Sequence, residues 1–117
     1  MASKSLSNYL LSHRTRSALS QGEVAFLLGV QSGARVCHYE RFTKEPGLQT
    51  ALAYEAIFWR PISELFPGLF EEIQHEVRAR AKLLEQKDLH SNSSDLTTRK
   101  RQFLAGIVGA EITNQSQ

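Results

Sequence analysis

Residues 19–66 read LSQGEVAFLLGVQSGARVCHYERFTKEPGLQTALAYEAIFWRPISELF, and this stretch decides the fold. Ser20 and Glu23 form a capping box, in which each side chain accepts a hydrogen bond from the backbone N–H of the other residue. A helix is therefore predicted to begin at Gln21. It should end at Gly29, because glycine adopts the left-handed conformation of a helix C-cap at little cost in free energy.

The apolar residues of this helix predict how it packs. Val24, Leu27 and Leu28 fall at helical spacing and share one face, which is expected to point into a core. Ala25 lies beside them and is small enough to let a second helix approach closely. After the turn, Val30 is expected to enter the core.

A second helix is predicted from Gly33 to about Arg41, with Ser32 as its N-cap. Val36 and Tyr39 should point inward. The residues expected to face outward are Ala34, Arg35, His38 and Arg41. This outer face is short, polar and cationic, which are the properties of a helix that enters the major groove of DNA.

The order of these residues resembles the XRE or lambda-repressor-like helix-turn-helix domain over about Leu6 to Phe66. The matching segments are LSQxEVAxLLGV at 19–30, VxxYER at 36–41, EP at 45–46 and ISELF at 62–66. The resemblance implies an all-α fold, a five-helix bundle with a C-terminal helical extension. It places the five helices at approximately 6–17, 21–28, 33–41, 48–58 and 62–66, with the third in the major groove of duplex DNA.

The resemblance also implies which residues contact DNA. Gln21, at the start of the first motif helix, is expected to bind a phosphate. The residues expected at base edges or groove walls are Ser32, Gly33, Ala34, Arg35 and His38. Near the end of the motif, Glu40 is expected to have a structural role and to accept from backbone N–H groups of the following loop.

Charge is distributed unevenly along the chain. Residues 1–44 carry six Lys and Arg against two Asp and Glu, a net +4, whereas residues 45–117 carry a net −2. The basic end contains the helix-turn-helix pattern, as phosphate contact requires. The predicted phosphate-contacting cations are Arg14, Arg16, Arg41 and Lys44.

Four aromatic residues, Tyr54, Phe58, Trp59 and Phe66, are predicted to be core because they fall at helical spacing. Trp59 stands where the resembling family often has glycine. We expect its indole to cover the core at the bend before Pro61, which prevents the preceding helix from continuing.

Beyond the domain of residues 1–68, residues 69–89 predict one amphipathic helix. Its apolar seam consists of Phe70, Ile73, Val77, Ala81 and Leu84. Two interpretations stay open, namely a sixth helix packed on the bundle and a two-stranded dimer seam. Residues 90–117 predict a polar linker, a short basic helix over about 96–108 and a frayed tail.

The sequence predicts no enzyme. Cys37 and His38 are neighbours in sequence and point about 100° apart on a helix, and no carboxylate is placed to orient the imidazole. The four histidines and one cysteine lack metal-ligand spacing, so no metal or cofactor is expected. No signal peptide or membrane span is predicted, and a cytoplasmic location is expected.

Together these patterns predict a transcriptional regulator, expected to act as a repressor, that binds double-stranded DNA through residues 33–41 as a homodimer. The alternative is an antitoxin-like or accessory module that binds a protein partner through the helix at 69–89.

Overall fold

The computed structural model describes residues 8–88 and 95–115, and all regular structure in these ranges is α-helical. The described helices are α1 (Leu10–Arg16), α2 (Gln21–Leu28), α3 (Gly33–Glu40), α4 (Leu48–Phe58), α5 (Ile62–Leu65), α6 (Pro67–Asp88) and α7 (Asp95–Gln115). The predicted all-α class is confirmed. Close contacts divide the chain into two compact units, Met1–Phe70 and Glu71–Gln117.

In the unit Met1–Phe70, every one of the first five helices contributes a large side chain that is fully buried. These side chains are Leu10, Val24, Val36, Tyr54 and Leu65. Complete burial of such a side chain stabilises a fold by about 1.5–3 kcal/mol. The ring of Tyr54 packs edge-on against Tyr39 at a centroid distance of 6.2 Å. One shared core therefore fixes the five helices relative to one another.

Both ends of α2 form as the sequence predicts. The Ser20 hydroxyl accepts from the Glu23 N–H at 3.0 Å, and the Glu23 carboxylate accepts from the Ser20 N–H at 2.8 Å. Gly29 ends the helix in the left-handed conformation, with φ 78° and ψ 23°. Val30 packs partly buried against the core. The helix and the turn that follows it are thus defined by local side-chain and backbone chemistry.

The first helix is shorter than the range 6–17. It begins at Leu10, because the Asn8 side chain accepts a hydrogen bond from the Leu10 N–H at 3.0 Å and so competes with helical hydrogen bonding. The Asn8 amide also donates to the Tyr39 carbonyl at 3.1 Å, and this hydrogen bond connects the N-terminal end of α1 to α3. Residues 6 and 7 lie outside the described ranges.

Two further local expectations were wrong. Ser32 occupies the N-cap position of α3, but its side chain makes no capping hydrogen bond, and its backbone carbonyl accepts from the Arg35 N–H instead. On α2, Val24 is buried and Leu28 is partly buried, whereas Leu27 is half exposed. Leu27 lies at the edge of the inward face, so the core covers only part of its side chain.

Trp59 does not cover the core. It is the C-cap of α4, with φ 57° and ψ 40°, and its side chain is 85% exposed. A left-handed C-cap turns the chain away from the helix, so the side chain leaves the apolar face that helical spacing predicts. Tyr54 and Phe66 are buried as expected, and Phe58 is partly buried against the core.

In the C-terminal part, α6 begins at Pro67, since a proline in the first turn of a helix needs no N–H donor. Within the predicted seam Ala81 is buried, while Phe70, Ile73, Val77 and Leu84 are 42–49% exposed. Helix α7 is longer than predicted and extends to Gln115. The predicted linker falls mainly on residues 89–94, which lie outside the described ranges, as do residues 116 and 117 of the predicted tail.

Among the described residues, no helix combines the length and the apolar character needed to span a membrane.

Candidate nucleic-acid interface

Helices α2 and α3 cross each other closely at their N-terminal ends. A Cβ atom added to Gly33 would lie 3.1 Å from the Gly22 nitrogen and 3.2 Å from the Gln21 Cβ. Gly33 therefore packs against α2 instead of facing outward. This is a correction to its expected place on the groove-facing surface, because a side chain at this position would point at the backbone of α2, which would have to shift by a few tenths of an ångström to admit it.

The outer face of α3 consists of residues with no place in the core. Val36 and Tyr39 are buried, which anchors one side of the helix. The exposed residues on the other side are Ala34, Arg35, His38 and Arg41. The predicted inward and outward faces of this helix are therefore confirmed, and Ser32 is exposed just before it.

The His38 imidazole is held by a residue that the sequence pattern did not single out. Its Nδ1 lies 2.9 Å from the Thr43 hydroxyl, which also donates to the His38 carbonyl at 3.2 Å. A hydroxyl has one proton, so both contacts form together only if Nδ1–H donates to the Thr43 oxygen. In this tautomer Nε2 is an acceptor, and Thr43 fixes the orientation of the ring.

Arg14 belongs to the interior of the unit and not to its cationic surface. Its guanidinium forms two hydrogen bonds with the Glu40 carboxylate, at 2.5 and 3.2 Å, and a third with the Leu19 carbonyl at 3.0 Å. The Arg14 and Glu40 side chains are only 16% and 6% exposed. The hydrogen bond to Glu40 raises the pKa of Arg14. We expected the positive charge of Arg14 to contact a DNA phosphate, but Glu40 neutralises it instead.

Gln21 joins the same cluster. Its side-chain amide donates to the Glu40 carboxylate at 3.1 Å, so Glu40 links α1, α2 and α3. Glu40 thus has a structural role, but through side chains of two other helices instead of through backbone N–H groups of the following loop. The reason is that Glu40 is the last residue of α3 and points back toward α1. The Gln21 side-chain oxygen is not used in this contact.

The remaining predicted phosphate-contacting side chains are exposed. These are Arg16, Arg41 and Lys44. Arg41 is the C-cap of α3 and Lys44 follows three residues later, so both lie next to the outer face of α3. Arg16 ends α1, where its Nε donates to the Ser12 carbonyl at 3.5 Å.

Within residues 8–88 and 95–115, no group of three His, Cys, Asp or Glu side chains is arranged to hold a metal ion. Comparison of the chain with protein-family models, with curated proteins and with solved structures finds no match in any of the three.

Proposed function

We propose that this protein is a sequence-specific, duplex DNA-binding transcriptional regulator of the XRE or lambda-repressor-like type, and that it acts as a repressor by occupying its site. The observation that carries the proposal is the outer face of α3, where exposed polar and cationic residues lie directly opposite the buried Val36 and Tyr39. A helix anchored in this way presents a rigid surface to the major groove.

Arg35 and His38 are the side chains that would read bases. An arginine can donate two hydrogen bonds to guanine O6 and N7. His38 in the tautomer that Thr43 favours would instead accept a hydrogen bond, which fits the amino group of adenine or cytosine. Ser32 and Ala34 would form the groove wall, and Ala34 suits contact with a thymine methyl group.

The phosphate contacts would come from Gln21, Arg16, Arg41 and Lys44. Gln21 lies at the N-terminus of α2, where backbone N–H groups and the helix dipole also favour an anion. Arg14 is removed from this set, because its charge is paired with Glu40. We assign Arg14 and Glu40 the role of fixing α1 and α3 relative to each other.

The regulator would act as a homodimer on an inverted repeat. Two recognition helices related by a two-fold axis would then lie about 34 Å apart, one turn of DNA. Symmetric dimers are the commonest assemblies of soluble proteins, and a two-fold protein matches a palindromic site.

Two substitutions test the proposal on the full chain. Arg35→Ala should weaken binding to a preferred duplex, obtained by selection, by about 1–3 kcal/mol and leave the affinity for random DNA nearly unchanged, because it removes one base contact. Lys44→Ala should weaken binding to both duplexes equally and lower the salt dependence. Fluorescence anisotropy with the two duplexes measures both effects.

Lys82→Ala, on the exposed surface of α6, is the matched control and should change neither affinity. Equal losses on preferred and random DNA for Arg35→Ala would contradict its assignment as a base-reading residue.

The second candidate function is an antitoxin-like or accessory module that binds another protein through α6. The observation that favours it is the exposed apolar side chains of Ile73, Val77 and Leu84. If Val77→Glu leaves both self-association and DNA binding unchanged, this surface is free for a different protein. If the substitution weakens DNA binding together with self-association, the regulator is the better account.

A further inference from the structure

A cavity in the surface of the unit Met1–Phe70 is lined by two segments that are distant in sequence. Its volume is about 430 Å³, within the range of small-molecule sites. The lining residues come from the end of α1, from the end of α4 and from the turn after α4, namely His13, Ser17, Ile57, Phe58, Trp59 and Arg60. None of them belongs to the outer face of α3 or to the predicted phosphate-contacting residues. We call this cavity the Trp59 cavity.

The backbone conformation of Trp59 is unusual for a bulky residue. Its φ of 57° and ψ of 40° lie in the left-handed region, which costs free energy for every residue with a side chain. The indole is 85% exposed, so its packing in the core does little to offset this cost. A bulky residue that is held in a strained conformation without such packing is typical of a ligand-binding position.

The turn that carries Trp59 is held by hydrogen bonds on both sides. The Trp59 N–H donates to the Glu55 carbonyl at 2.8 Å. The Glu55 carboxylate accepts from the Ile62 N–H at 3.2 Å, beyond Pro61, whose ring restricts the backbone. The indole therefore projects from a fixed backbone, and a ligand that stacks on it would lose little affinity to ordering of the turn.

A second ring that lines the Trp59 cavity is the imidazole of His13. It stacks on Phe58 at a centroid distance of 5.5 Å. Burial lowers the pKa of His13, and the charges of Arg16 and Arg60 lower it further. Both arginines act more strongly than Glu64, which raises this pKa. The positive charges therefore outweigh the negative one at this ring, and the neutral imidazole can donate one hydrogen bond and accept another.

Arg60 places a cation at the Trp59 cavity. Its side chain is exposed, and within the described ranges its guanidinium forms no hydrogen bond or ion pair. A guanidinium can bind a phosphate through two parallel hydrogen bonds. Arg60 is therefore available to an anionic group of a ligand, directly beside the indole of the preceding residue.

An exposed indole next to a guanidinium matches a ligand that has both a flat ring and a negative charge. Nucleotides have both, because any nucleobase stacks on tryptophan and a phosphate pairs with arginine. Proteins that bind a single strand stack successive bases on aromatic side chains along a groove of about 4–16 nucleotides. The Trp59 cavity has the volume of one small ligand and one exposed aromatic ring, so a single free nucleotide fits it better than a strand.

We propose that the Trp59 cavity binds a free nucleoside monophosphate, whose base stacks on the Trp59 indole and whose phosphate binds the Arg60 guanidinium. His13 would contribute a ring nitrogen to the hydrogen bonds of the ligand. The inference does not rest on the proposed function. A chain that binds a selected duplex and no nucleotide would overturn this inference alone, whereas a chain that binds the nucleotide and no DNA would overturn the proposed function alone.

The first test is titration of the full chain with adenosine 5′-monophosphate. Trp59 is the only tryptophan in the chain, so stacking of the adenine should quench the tryptophan fluorescence. Adenosine lacks the phosphate and inorganic phosphate lacks the ring, so each should bind at least about tenfold more weakly than the nucleotide. No binding of the nucleotide, or equal affinities for adenosine and the nucleotide, would overturn the proposal.

Variants measured by calorimetry separate binding from folding. Trp59→Gly should weaken nucleotide binding about tenfold or more, yet it should raise the melting temperature, because glycine suits a left-handed C-cap. Arg60→Gln should also weaken binding about tenfold. Phe26→Ala is the matched control, since it removes a ring that is 83% exposed on α2 and does not line the cavity, and it should leave the nucleotide affinity unchanged.

Two outcomes with these reagents would contradict the proposal. If Trp59→Gly binds the nucleotide as tightly as Phe26→Ala does, the indole is not part of a binding site. If a short single strand of adenine nucleotides binds far more tightly than the mononucleotide, the ligand is not a free nucleotide.

Discussion

The two units of the chain use their apolar residues in opposite ways. Each of the first five helices sends a fully buried side chain into one core, whereas the described helix pair after Phe70 buries only Ala81 and Leu104 and leaves larger apolar side chains exposed. The shared core of the first unit therefore holds α3 rigidly in place. The second leaves most of its large apolar side chains at its surface.

The ion pairs of the two units show the same contrast. Arg14 and Glu40 are 16% and 6% exposed and join α1 to α3, while Glu76 and Arg80 are 54% and 73% exposed, 4.0 Å apart on one helix. Breaking a buried pair leaves an unpaired charge in the interior, but a surface pair contributes little. The same substitution made in each ion pair can therefore test whether the buried pair stabilises the fold more than the exposed one.

The largest effect is expected from Glu40→Gln, which keeps the shape of the side chain and removes its charge. It leaves the Arg14 guanidinium without its counter-ion, so the free energy of unfolding should fall by about 3 kcal/mol or more. The matched substitution Glu76→Gln should change it by less than about 0.5 kcal/mol. Urea unfolding followed by circular dichroism measures both changes. Equal losses of unfolding free energy in the two variants would contradict the prediction that only the Arg14–Glu40 pair stabilises the fold.

A smaller loss is expected at the crossing of α2 and α3. Gly33→Ala should lower stability by about 1–3 kcal/mol, because its Cβ would lie 3.1 Å from the Gly22 nitrogen, and backbone cannot easily move aside. Gly22→Ala is the control. Its nearest atom, the Ser20 Oγ, would be 3.9 Å away, so alanine should be tolerated or should stabilise α2 by up to about 1 kcal/mol. A loss confined to Gly22→Ala in urea unfolding would contradict the crossing geometry.

The smallest effect concerns pH. Burial lowers the pKa of His13 from 6.5, with contributions from Arg16 and Arg60, and its ring stacks on Phe58 at 5.5 Å. The unfolded chain therefore binds the proton more readily, so stability should decrease as pH falls through 6.5 toward the lowered folded value. His13→Gln should flatten this dependence in thermal unfolding, whereas His75→Gln, exposed on α6, should preserve it. If His13→Gln leaves the pH dependence of thermal stability unchanged, another titratable group causes that dependence.

The sequence predicted those features that short segments determine. The capping box at Ser20, the left-handed Gly29 and the two faces of α3 all depend on residues within a few positions of one another. Trp59 was mispredicted because helical spacing does not reveal that the chain leaves the helix at that residue. Helix α7 extends past Gly106 and Gly109, although each glycine disfavours a helix by about 1 kcal/mol relative to alanine.

Contacts between distant residues could not be predicted in the same way. Arg14 lies 26 residues before Glu40, and nothing in either neighbourhood indicates that they pair. For this reason Arg14 was expected on the cationic surface. Thr43 was missed because it follows α3 by three residues and meets His38 through a turn instead of at helical spacing. Gly33 was misplaced because its packing depends on how two helices cross.

The most direct test of the central claim is selection of duplexes bound by the full chain from a random library, with the affinities of the selected sequences measured at two salt concentrations. The account predicts an enriched inverted repeat whose half-sites are centred about 10 base pairs apart, bound with strong salt dependence. Salt-dependent binding without any enriched sequence would contradict it.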